Sequence, residues 1–190
     1  MTTALDVKPS VLFTIDDAQR AGDEWGFNCG PAAICAVAGL TPAELRPHMG
    51  DFESKRYTNP TLMWQALRNL GIRWQCCAQQ MSSENQGMLA WPQFGLARVQ
   101  WEGPWTQPSV PIAARYRHTH WVAAMSDPRH WTTPGWEETR IFDVNCMCVG
   151  GWVPLSEWAG SVVPWLLNAC EPKANGRWHL THVVEIERPL

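Results

Sequence analysis

The sequence has no apolar run approaching the roughly 20 residues that cross a bilayer, and residues 1–10 lack the hydrophobic segment of a secretory signal. Both absences argue for a protein that stays in the cytosol where it is made. Charge is also scarce: 17 % of residues are charged and the formal net charge is −3. No cluster of Lys and Arg is available to neutralise a phosphate backbone, which excludes nucleic acid as the main partner. Internal repeats, low-complexity tracts and long Gly/Ser linkers are missing too, so the 190 residues read as one domain over 1–190. Seven cysteines, an odd number without framework spacing, imply reduced thiols rather than stapling disulfides. A Cys-x-x-Cys motif is absent as well. The pairs His118/His120, Cys146/Cys148 and His179/His182 therefore lack the spacing of a zinc site, and strand alternation would turn His179 and His182 to opposite faces. No metal is expected.

Apolar residues, by contrast, are plentiful. They make up 45 % of the chain and include 13 Trp, enough for a sizeable core. Pro31 in a first turn, then Ala32, Ala33 and Ala36, predict a helix over 29–37 that Gly39 ends. Thr41-Pro42-Ala43-Glu44 reads as a capping box opening a second helix, and Asn59-Pro60 opens a third. The third carries Leu62, Met63, Ala66, Leu67 and Leu70 at helical spacing before a Gly71 stop. Residues 81–111, interrupted by Pro92, Pro104, Pro108 and Pro111, predict loop with at most a short strand at 96–101. Apolar, β-branched runs at 119–125, 139–145 and 178–187 predict antiparallel strands. Helices first and strands later give an α+β domain, with an early helix packed on a sheet from the C-terminal half.

Asn28-Cys29-Gly30-Pro31 sets a thiol at a helix start, where unpaired N–H groups and the helix dipole favour thiolate. Gly30 leaves the space beside the sulfur open to a substrate backbone. A nucleophile needs a base, and Arg117-His118-Thr119-His120-Trp121-Val122 offers two histidines on one face of a strand. His120 leads into the buried strand body and is the candidate base; His118 belongs at the cleft rim. Asp143 and Asn145, on the next strand, can orient the ring. Asp143 is preferred because a carboxylate stabilises an imidazolium better than an amide does. Trp25, Trp105, Trp121 and Trp152 lie near these motifs or in the proline-rich loop and are candidates for groove walls, although most tryptophans are core.

Taken in order, Asn28-Cys29-Gly30-Pro31-Ala32-Ala33, His120-Trp121-Val122, and Asp143 followed by Gly150-Gly151-Trp152-Val153-Pro154-Leu155-Ser156-Glu157-Trp158 resemble papain-like cysteine peptidases, in particular the bacteriocin-leader-processing branch. The resemblance covers about residues 25–158 and extends to the small papain-like proteins that bacteriophages encode. It implies a papain-like fold, with helices carrying the nucleophile packed on a C-terminal antiparallel sheet. It also implies Cys29 as nucleophile, His120 as general base and then acid, Asp143 as orienting residue, a peptide or other amide substrate, and no cofactor. A phage member would act in the infected host or within the virion. That family has a glutamine six residues before the cysteine as oxyanion donor, whereas this chain has Asp23 there. Gln19, Asn28 and the Cys29 backbone N–H are the remaining candidates. A retained binding or assembly module, or an acyltransferase using the same triad, are the alternative outcomes of this pattern.

Overall fold

The computed structural model describes residues 14–25, 29–55, 57–79, 90–126 and 139–187. Its N-terminal part is helical: α1 (Ile15–Trp25), α2 (Cys29–Ala38), α3 (Pro42–Leu45), α4 (Phe52–Lys55) and α5 (Pro60–Asn69). The local signals behind these helices are visible as bonds. Glu44 donates its backbone N–H to Thr41 Oγ1 at 3.3 Å, and the Thr41 N–H donates to Glu44 Oε2 at 2.8 Å, closing the capping box. Asn59 Oδ1 accepts from the Leu62 N–H at 2.9 Å at the head of α5.

Six strands then form one antiparallel sheet: β1 (Trp74–Gln79), β2 (Phe94–Trp101), β3 (Thr119–Met125), β4 (Arg140–Phe142), β5 (Trp152–Pro154) and β6 (Trp178–Ile186), in the order β1-β6-β2-β3-β4-β5. The architecture is α+β. The proline-rich middle, expected to be loop with at most a short strand at 96–101, has its strand there, and β2 is longer than expected: eight residues, buried throughout and paired on both sides. Its prolines lie outside the strand, at 92 before it and from 104 onward, so none removes a ladder donor. The expected strand over 139–145 is shorter, because Asp143 ends it and caps a 3₁₀ turn (Val144–Val149).

Alternation along the strands divides the core in two. Leu96, Trp121, Ala123, Met125 and Val184 pack beneath α2 and α5, with Ile34, Met63 and Leu67. Val99, Trp101, Val122, Ala124, Leu180 and Val183 face the other way, onto a helical rod. That rod comprises α7 (Leu155–Glu157), a wide π turn (Trp158–Val162) and α8 (Val163–Cys170). The remaining short helix is α6 (Ile112–Arg115). The sheet is thus covered on both faces, one more layer than the strand and helix signals predict. Among the described residues, no helix is long and apolar enough to cross a membrane.

A candidate cysteine–histidine–aspartate site

Three elements converge at the head of α2. Cys29 is the first residue of that helix, which packs along β3. His120, the second residue of β3, is held by the ladder opposite Val99 and lies on the strand face shared with Val122. Asp143 follows β4 directly, and its backbone N–H donates to Gly151 O at 3.0 Å, which locks it against the glycine turn. Gly150 and Gly151 both have positive φ, 88° and 81°, so the turn requires glycine. A Cβ at Gly151 would also strike the Phe142 ring.

The imidazole spans the other two groups. His120 Nε2 donates to Asp143 Oδ2 at 2.9 Å, and Cys29 lies near enough to the ring to help raise its pKa. Burial opposes charge on this ring, but the Asp143 carboxylate and its hydrogen bond, followed by Cys29, outweigh it. The His120 pKa is therefore held well above the ordinary imidazole value. Asp143 is wholly buried, which by itself favours the neutral acid. The facing His120, the Trp158 N–H and the Asn145 backbone N–H reverse that and keep it below the usual carboxylate range. Four bonds hold it: Oδ2 accepts from His120 and, at 2.8 Å, from Trp158 Nε1, while Oδ1 accepts from Asn145 N at 2.9 Å and Asn145 Nδ2 at 2.8 Å. Such a group can fix the tautomer of a histidine and stabilise its cation. Trp101 stacks on the His120 ring, centroids 5.9 Å apart and 21° from parallel.

Other expected site residues stand elsewhere. Asn145 is exposed and sits inside the 3₁₀ turn; because β4 ends at Phe142, it does not share a strand with Asp143, and it braces that carboxylate rather than the imidazole. His118 precedes β3. It stacks on Trp105 at 3.7 Å, and its Nδ1 lies 2.8 Å from Glu171 Oε2, so ring stacking and a carboxylate hold it against the end of α8 instead of at the cleft rim. Gln19 Nε2 donates to Asp23 Oδ1 one turn further along α1, and opens on a cavity of about 280 Å³ that it shares with Asn145. Asn28 and the side chain of Trp25 lie outside the described residues. Gly30 serves packing rather than substrate approach, because a Cβ there would meet Thr58 Oγ1 at 2.5 Å. Trp152 packs on Phe142 in the core, where apolar burial and edge-on ring contact hold it away from the cleft. Trp121 is also core, but its edge reaches a cleft of about 880 Å³, and its Nε1 donates to Thr58 O at 3.2 Å.

Sequence reasoning missed Trp158 and Trp101, although Trp158 lies within the motif that follows Asp143. It also missed Arg98 and Thr58, which line the larger cleft. Among the described residues, no group of three His, Cys, Asp or Glu is placed to hold a metal. No family model, no curated protein and no solved structure matches the chain.

Proposed function

We propose that this protein is a papain-like cysteine hydrolase of peptide or other amide bonds, with Cys29 as nucleophile, His120 as base and then acid, and Asp143 as the residue that orients the ring. The observation that carries the reading is a single imidazole bonded to a buried carboxylate and lying close to a thiol at a helix head. His120 takes the Cys29 proton as the sulfur–carbon bond forms, then returns it to the leaving amine as the carbon–nitrogen bond breaks. Water, deprotonated by the same ring, releases the acyl group and restores the thiol. Buried Asp143 stabilises the imidazolium formed in both halves. The chemistry needs no cofactor.

A module that keeps this constellation without turning over is favoured by one observation: Cys29 is only 6 % exposed and is not among the residues lining the larger cleft. Alkylation separates the two readings. Cys76, Cys77, Cys148 and Cys170 are exposed and act as references within the same molecule. For a hydrolase, iodoacetamide labels Cys29 faster than these four, and His120→Ala removes the advantage. Slow labelling of Cys29 in both forms favours the module and ends the hydrolase reading.

A further inference from the structure

Arg98 lies in the middle of β2, where a long cation is least expected. Its partners across the sheet are Trp121 on β3 and His182 on β6, so the three form a row on the face that carries α2. A bulge in the β2–β6 pairing beside Arg98 brings His182 into this row. Arg98 is 6 % exposed. Its Nη2 donates to Tyr116 O at 3.2 Å and to Thr119 Oγ1 at 3.1 Å, while its Nε is buried without a partner. Among the described residues, no carboxylate pairs with it.

A buried cation without a counter-ion is costly, and the cost is visible in the group itself: burial lowers the Arg98 pKa to about 10. His182 offers no negative charge. Burial, with Arg98 second, lowers its pKa to about 4, so the ring is neutral near pH 7. Arg98 and Arg117 line the cleft of about 880 Å³, and no Asp or Glu is among its described lining, although the chain as a whole is acidic at −3. Thr58 Oγ1, on the same wall, is buried and unpartnered. The cleft adjoins the nucleophile, since Thr58 on its wall packs against Gly30, the residue that follows Cys29.

We propose that Arg98 reads a carboxylate on the substrate of Cys29, supplied by a free C-terminus or an acidic side chain, with the neighbouring hydroxyls completing its hydrogen bonds. The proposal rests on the reading of Cys29 as nucleophile. Arg98 is the one buried guanidinium on the described lining, Arg117 being exposed, and its planar fork matches the two oxygens of one carboxylate.

Three thiol reagents test it. N-iodoacetylglycine carries a terminal carboxylate, N-iodoacetylglycinamide is its neutral twin, and N-iodoacetyl-isoglutamine places the carboxylate on a side chain. In each, the sulfur–carbon bond forms, iodide leaves and the thiol proton passes to His120. Rates at Cys29, read by peptide mass mapping, are divided by those at exposed Cys148. In the wild type the favoured acid labels about tenfold faster than the amide, as expected of a charge-assisted pair, and the better acid identifies the source of the carboxylate. In Arg98→Gln the ratio falls to about one. A ratio near one in the wild type, or one that persists in Arg98→Gln, overturns the proposal. Binding to Cys29→Ala, followed by ligand-observed NMR, tests the carboxylate site apart from the nucleophile. There N-acetylglycine and N-acetylisoglutamine serve as acids and N-acetylglycinamide as the neutral control. If Cys29 labels no faster than Cys148 while one of the acids still binds, the nucleophile reading fails and the Arg98 site stands. Fast labelling without acid preference or binding has the opposite meaning, and inorganic phosphate that binds as tightly as the better acid overturns the choice of carboxylate.

Discussion

Trp158 Nε1 donates a 2.8 Å hydrogen bond to Asp143 Oδ2, the same oxygen that accepts from His120. The π turn that begins at Trp158 interrupts the helical rod at this residue, and such wide turns are frequent where a side chain serves a site. The indole therefore acts as a positioning group for the carboxylate. Trp158→Phe keeps an aromatic ring in the core but leaves a fully buried oxygen one donor short, at a cost of about 1–3 kcal/mol. The His120 pKa should change with it, because the carboxylate facing the ring loses a partner. Urea unfolding measures the first effect and histidine C–H NMR titration the second. A variant that loses stability with an unmoved His120 titration would reduce Trp158 to packing alone.

Asp143→Asn separates charge from shape. The amide leaves burial as the dominant influence on His120, and burial disfavours the imidazolium, so the ring pKa falls below its ordinary value. In the wild type the folded pKa is raised. The stabilisation from this pair is therefore complete below the unfolded value of about 6.5 and is lost as pH rises through the folded pKa. The stability advantage of wild type over His120→Gln should accordingly shrink on the alkaline side of pH 6.5, while breaking the buried pair costs about 3–5 kcal/mol at neutral pH. Denaturant titrations from pH 6 to 10 read this directly. An advantage that grows with pH contradicts it.

The parts of this architecture that were legible carry short-range signals. Thr41 with Glu44, and Asn59 with Pro60, announce helix starts because cap and capped group lie three residues apart. β3 is read from its own apolar residues. β2 is legible only as a short strand at 96–101: flanking prolines suggest loop, and Arg98 and Gln100 look like surface residues until the pairing on both sides buries them. Trp158 and Trp101 were illegible as site residues for a different reason. Tryptophan is usually core, and nothing local tells which indole will meet a carboxylate supplied 15 residues earlier in the chain. Asn145 was misread because alternation was extended past the residue that caps the next turn.

His182 is a second titrating group, of opposite sign. It lies beside Trp64 and Trp121, with ring centroids 5.8 Å and 6.4 Å away, and its Nδ1 is 3.1 Å from Thr181 Oγ1. Its folded pKa is lowered to about 4, first by burial and then by Arg98. Between that value and about 6.5 the unfolded chain takes up the proton first, so stability is full above 6.5 and falls as pH drops toward 4. The loss attributable to this ring is roughly 3 kcal/mol. His182→Gln, which cannot titrate, should flatten this window without moving the alkaline one set by His120. An acid limb of unchanged steepness in the variant assigns the effect to another group.

Gly30→Ala tests the wall between nucleophile and cleft. The added methyl would sit 2.5 Å from Thr58 Oγ1 and 2.8 Å from both Thr58 Cβ and Cγ2, too close for any of the three. Either Thr58 withdraws, breaking the 3.2 Å bond from Trp121 to its carbonyl, or the head of α2 shifts and carries Cys29 with it. Overpacking of this kind costs about 1–3 kcal/mol. The two relaxations differ in their consequences for chemistry. Withdrawal of Thr58 leaves Cys29 beside His120, so iodoacetamide labelling persists while stability drops; movement of the helix slows labelling as well. Thr58→Ala removes two of the three contacts, and combined with Gly30→Ala it should recover part of the lost stability in a double-mutant cycle. Strictly additive costs in that cycle mean that Thr58 is not what confines residue 30 to glycine.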